Sequence, residues 1–182
     1  MKHSRVTAAS FAAALSPLAG IAASLTGTVA ARGMDVPFTE QVISTAAGNP
    51  VSVFATDSDG DEDTDVVSAS ASDDKIAWYE SDPGAPGPPT FTERVISTAA
   101  DVACSVFATD LDGDGDTDVL SASRLDDKIA WYESDGGWPP TFTERVISTA
   151  ADGAHSVFAT DLDGDGDIDV LSASDLDDKI AW

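Results

Sequence analysis

Apolar and polar residues alternate in short runs along most of this chain, and the runs recur in sets. Phe-Thr-Glu-Gln/Arg-Val-Ile-Ser occurs near 38–44, 91–97 and 142–148, and Ser-Val-Phe-Ala-Thr at 52–56, 105–109 and 156–160. Val-Val/Leu-Ser-Ala-Ser follows at 66–70, 119–123 and 170–174, then Lys-Ile-Ala-Trp-Tyr-Glu at 75–80 and 128–133, with a shorter version at 179–182. β-Branched and aromatic residues among small partners favour pleated, half-buried strands. The pattern predicts four short strands per unit. Asp73-Asp74, Asp126-Asp127 and Asp177-Asp178 read as turns between strands rather than as cation ligands. Stretches rich in Pro and Gly, at 82–89 and 135–140, separate the units; proline there blocks further strand pairing.

The unit is long: Phe38 to Phe91 is 53 residues and Phe91 to Phe142 is 51. Four strands at this period is the arithmetic of a β-propeller blade. The expected fold is therefore all-β, with blades of four short antiparallel strands. Trp78, Trp131 and Trp182 recur at one place in the unit, which predicts packing between neighbouring blades, with a sugar platform as the sharper alternative. Trp138 lies in the second linker without a counterpart in the first, which predicts exposure.

Between the second and third strand motifs of every unit sits an acidic loop with Asp on alternate positions. The three sets are Asp57, Asp59, Asp61, Asp63, Asp65; Asp110, Asp112, Asp114, Asp116, Asp118; and Asp161, Asp163, Asp165, Asp167, Asp169. Five carboxylates within nine residues repel one another unless a positive charge sits among them. A hard cation that takes many oxygens answers this, and calcium fits best. In such a loop positions one, three and five offer carboxylates, position seven a backbone carbonyl, and position nine a further carboxylate, often through water. Asp63, Asp116 and Asp167 fall at the carbonyl position, with side chains free to face solvent. The sixth position turns the chain sharply and suits glycine. Gly115 and Gly166 fill it in two copies, but the first has Glu62, at a cost of about 1 kcal/mol, which marks that site as the weakest.

Other readings of the loop fit less well. An EF-hand needs Glu at position twelve and flanking helices, whereas Ser68, Ser121 and Ser172 stand there between strand-like flanks, which also disfavours a dockerin. Nonapeptide calcium repeats need short tandem units, which are absent. A solvated acidic loop without metal is the bland reading, and three copies with one spacing weigh against it.

Composition narrows the setting. Residues 1–31 carry a basic start, an Ala-rich apolar middle and small residues before a candidate cleavage point, which predicts a secretory signal peptide; 32–37 reads as a linker and 38–182 as the repeat region, with repeats near 38–82, 91–135 and 142–182. Pro17, Gly20 and several hydroxyl residues make the apolar stretch a poor membrane span. The formal charge is −24, and loss of Lys2 and Arg5 with the signal would take it to −26. That argues against nucleic acid and anionic membrane surfaces as partners. Cys104, the single cysteine, has no partner for an internal disulfide, which leaves bound calcium as the expected stabiliser of a secreted chain.

From Phe38 to Trp182 the residues resemble FG-GAP/VCBS-type repeats: a strand ending Phe-Ala-Thr-Asp, the Asp-x-Asp-Gly-Asp-Gly-Asp-x-Asp loop, then Val-Leu-Ser-Ala-Ser and Ile-Ala-Trp-Tyr-Glu. The resemblance implies blades related in design to the calcium-bearing propeller of integrin α chains, with the loop joining the first two strands of each blade and calcium at the rim. It implies as ligands Asp57, Asp59, Asp61 and Asp65; Asp110, Asp112, Asp114 and Asp118; and Asp161, Asp163, Asp165 and Asp169, completed by the carbonyls of Asp63, Asp116 and Asp167. It also moves the blade start to Ser52, Ser105 and Ser156, which makes 38–44 the outer strand of a preceding, mostly absent blade. About three blades then form an incomplete, open arc, since closed propellers have about four to eight.

The functional expectation is a secreted or cell-surface calcium-binding module for adhesion or for interaction with an unidentified extracellular protein or glycan, with calcium structural rather than catalytic. Self-association through open propeller edges is a further expectation. The alternative is a non-catalytic or substrate-binding part of a larger extracellular hydrolase or lyase. No Ser-His-Asp set, zinc motif or phosphate loop is present, and Glu80, Glu93, Glu133 and Glu144 recur as strand surface residues, so no catalytic residue is assigned.

Overall fold

The computed structural model describes residues 39–82, 84 and 87–182. The expected signal peptide at 1–31 and linker at 32–37 lie outside them. Among the described residues eleven strands form three antiparallel sheets. The first holds β1 (Pro50–Thr56), β2 (Asp65–Ser70), β3 (Lys75–Asp82) and β4 (Thr90–Ser97) in chain order. The second repeats this with β5 (Ala103–Thr109), β6 (Asp118–Ser123), β7 (Lys128–Ser134) and β8 (Phe142–Ser148). The third holds β9 (Ala154–Thr160), β10 (Asp169–Ser174) and β11 (Lys179–Ala181). Among the described residues no helix is long and apolar enough to cross a membrane.

The all-β reading and the three propeller-like blades are thus observed, and the strands fall where the alternation puts them. The sheets are offset from the repeat as the bare pattern phases it. Phe-Thr-Glu-Arg-Val-Ile-Ser is the last strand of a sheet rather than the first, as the family resemblance implies. One predicted strand is corrected. Residues 39–44 carry the same pattern as β4 and β8 but form no strand. β4 and β8 exist because β3 and β7 hydrogen-bond to them, and among the described residues nothing plays that part for 39–44.

Sheets pack face to face through small and branched side chains. Val67, Ala69 and Ile76 of the first sheet meet Ala103, Val106, Ala108, Val119 and Tyr132 of the second. Leu120, Ala122 and Ile129 of the second meet Ala154, Val157 and Ala159 of the third. Alanine at so many facing positions lets the backbones approach closely. Phe54, Phe107 and Phe158 form a tilted ladder across the sheets, with centroids 4.7 and 4.6 Å apart, within the range where aromatic pairs gain beyond simple burial.

Polar contacts set the spacing between sheets. Val106 N donates to Ser52 Oγ at 3.2 Å and Val157 N to Ser105 Oγ at 3.3 Å. The Asp-Asp turns do more than reverse the chain. Asp74, at φ 54°, accepts from Val102 N at 2.9 Å, and Asp127, also at φ 54°, accepts from Gly153 N at 2.9 Å. Each turn therefore clasps the connection into the next sheet. Trp131 packs against the junction of the second and third sheets, Trp78 is fully buried, and Trp182 is exposed. Arg94 and Arg145 lie over the rings of Trp78 and Trp131, each paired to a glutamate, Glu80 and Glu133.

Candidate metal centre

Each acidic loop joins the first two strands of its sheet, so strand pairing holds both ends of the loop together. Within the loop the aspartates first organise the backbone. Asp57 accepts from Gly60 N (2.8 Å) and Glu62 N (3.0 Å). Asp110 accepts from Gly113 N (2.7 Å) and Gly115 N (3.0 Å), and Asp161 from Gly164 N (2.7 Å) and Gly166 N (3.2 Å). Position three accepts from the amide of position five, and position five from that of position seven, in every copy. Position six lies in the left-handed region throughout, at φ 72° for Glu62, 96° for Gly115 and 98° for Gly166. Glu62 therefore carries the backbone cost that its two glycine counterparts avoid.

The ninth aspartate has a separate task. Asp118 is 2 % exposed; it accepts from Leu111 N at 3.1 Å and from Ser134 N, on β7, at 2.8 Å. Asp65 does the same with Ser58 N at 3.0 Å and Ser81 N at 2.8 Å. Asp169 accepts from Leu162 N at 2.9 Å. In the first two sheets the ninth carboxylate thus ties the loop to the third strand of the sheet. No sequence signal separates it from the other alternating aspartates, because the serine that it holds is sixteen residues away.

The fold brings carboxylate oxygens to within 4.8 Å of one another in three groups: Asp57, Asp59 and Asp61; Asp110, Asp112 and Asp118; Asp161, Asp163 and Asp169. Asp65, Asp114 and Asp165 lie outside these groups, as do Asp63, Asp116 and Asp167, whose expected contribution is the backbone carbonyl. All donors are oxygens, which suits a hard divalent cation. Asp59 Oδ2 supplies the test of fit. It is buried with no hydrogen-bond partner among the described residues, and a carboxylate oxygen only accepts, so a cation held among Asp57, Asp59 and Asp61 would satisfy it. Burial, chiefly, and the charges of Asp65, Asp61 and Glu80 push the Asp59 carboxyl up to about 6, against the pull of the Asp61 amide. Burial likewise pushes Asp118 upward, opposed by its bonds from Ser134 and Leu111. Without a cation Asp59 and Asp118 hold charge that their surroundings resist.

The first two loops are coupled. Thr117 Oγ1 donates to the carbonyl of Asp57 at 3.0 Å, beneath a polar cleft of about 350 Å³ between the first two loops. Trp138 is 64 % exposed, as its linker position predicts, and lines another cleft with Asp63, Glu80 and Asp82. Cys104 is half-buried, its Sγ donates to the carbonyl of Val102, and burial pushes the thiol up, away from nucleophile character.

A family model described as FG-GAP-like repeat matches residues 57–121 and 110–172. Each match begins on the first aspartate of an acidic loop, and together they span well over half of the chain. Among curated proteins none matches this sequence.

Proposed function

The chain belongs to the FG-GAP-like repeat family, and from that premise we propose that it is a secreted, non-catalytic interaction module whose three acidic loops each hold a structural calcium ion. Its task is adhesion, or recognition of an extracellular protein or glycan. The observation that carries the calcium reading is the triple recurrence of converging carboxylates, with Asp59 Oδ2 buried and without a donor. Asp57, Asp59 and Asp61, Asp110, Asp112 and Asp118, and Asp161, Asp163 and Asp169 would be the carboxylate ligands. The ion would offset part of each loop's negative charge and fix the hairpin that it closes. Equal recurrence of the acidic groups in every sheet supports a structural role over acid–base chemistry.

Extracellular calcium modules have dissociation constants of about 0.1–1 mM. At about a hundred times that concentration each site adds about 2.7 kcal/mol, so three independent sites add about 8 kcal/mol, comparable with the whole margin of a small domain. The test is thermal unfolding in saturating calcium and in chelator. A large upward shift of Tm with calcium, and a smaller one with magnesium, is expected. Equal melting in chelator and calcium would overturn the reading.

A further inference from the structure

Every sheet has two faces, and the repeat makes faces of one kind interchangeable. One kind is Phe54, Val67, Ala69 and Ile76 in the first sheet, and Phe107, Leu120, Ala122 and Ile129 in the second. The other kind is built on Val106 and Ala108 in the second sheet and Val157 and Ala159 in the third. Two internal junctions pair one kind with the other, which leaves one face of each kind over.

Among the described residues both leftover faces are open. On the third sheet Ile180 is 86 % and Phe158 50 % exposed, whereas Ile76 and Ile129, the counterparts of Ile180, are 0 and 2 % exposed. On the first sheet Val53 is 69 % exposed, whereas its counterparts Val106 and Val157 are each 5 % exposed. Val53, Val66 and Tyr79 line an apolar groove of about 130 Å³ there, together with Ile43 and Ala47. Those last two occupy the repeat positions that Ile96 and Ala100 hold at the first internal junction. The groove is therefore a partly built junction of the internal kind.

We infer that the third sheet of one copy docks on the first sheet of a second copy, by the contacts that join the sheets within the chain. Ile180 and Leu171 of one copy cover Val53 and Val66 of the other, and Phe158 extends the aromatic ladder to Phe54. Ser156, exposed at the place where Ser52 and Ser105 accept from the next sheet, receives Val53 N of the second copy. Such a contact is heterologous, and it either closes or propagates. Two copies bring six sheets through two equal junctions, within the range of about four to eight at which propellers close. The partner is chosen by the internal match, since the internal junctions already demonstrate the complementarity that this one needs.

The test is sedimentation equilibrium of the full chain in calcium, which limits repulsion between the acidic loops, with Val53→Asp and Ile180→Asp as variants. Both side chains are largely exposed within one chain, so each variant keeps its fold. The wild type is expected to sediment as a dimer and each variant alone as a monomer, because each spoils one partner of every junction. Mixing the variants is expected to restore a dimer, since the intact third sheet of Val53→Asp meets the intact first sheet of Ile180→Asp. A wild type that stays monomeric, with the open faces left to further blades or to an unrelated protein, overturns the inference. So does a dimer that survives Val53→Asp, or a mixture that stays monomeric. Each readout is mass rather than melting temperature, so it fails or succeeds separately from the calcium reading.

Discussion

Replacing Asp118 with alanine separates the architectural role of the ninth loop position from any role at a metal. The carboxylate is almost wholly buried and accepts from two backbone amides, Leu111 N and Ser134 N. Alanine fills neither place; a buried amide left without an acceptor costs about 1–3 kcal/mol, which applies in full to Ser134 N and less to the part-buried Leu111 N. The two together predict a loss of about 2–4 kcal/mol in chelator, where no ion contributes. That is a large part of the about 5–15 kcal/mol that holds an ordinary domain together. Asp169 is the internal control: it accepts from one amide, Leu162 N, and is only half-buried. That amide is exposed and finds water, so the alanine variant is expected to lose no more than about 1 kcal/mol under the same conditions. Urea unfolding followed by tryptophan fluorescence, in chelator and again in calcium, measures both. If the two variants lose equal stability in chelator, or neither loses any, the latch between loop and third strand is not what the ninth aspartate provides.

Other expectations are narrower. Glu62→Gly relieves the left-handed strain at φ 72° and should raise stability by up to about 1 kcal/mol, with tighter calcium binding at the first loop by calorimetry. The reverse change, Gly115→Glu, should cost a similar amount, because a Cβ there meets no neighbour and only the backbone resists. Phe107→Ala breaks both contacts of the aromatic ladder and should cost about 3 kcal/mol in chemical unfolding. One contribution to the pH dependence of the chain in chelator comes from Asp59, which titrates near 4 when unfolded and at about 6 when folded. The folded chain holds that proton more tightly, so this group's contribution is full below about pH 4 and is lost as pH rises through about 6. Calcium favours the ionised form, so its affinity for the first loop should fall as pH drops through that same range. A glycan array that shows binding without turnover would fit the module, and turnover would favour the reading as part of a hydrolase or lyase.

The strands were legible in the chain because a two-residue alternation of Val, Ile, Phe and Trp with small polar partners has few other solutions, and Gly, Pro and Asp mark the turns between them. The loops were legible because carboxylates on alternate positions are costly without a cation, and because Gly115 and Gly166 reveal where the backbone must turn left-handed. What alternation cannot carry is which edge a strand pairs with. Residues 39–44 and 91–97 share a pattern, and only the presence of β3 beside the latter makes it β4. Nor can spacing show that Asp65 and Asp118 reach a serine on the third strand, or that Asp74 and Asp127 clasp the next sheet, since those partners are distant in sequence and meet only when sheets form. Local chemistry wrote the strands and the acidic loops; pairing and packing over long separations decided which aspartates converge, which act as latches, and which faces of the repeat stay open.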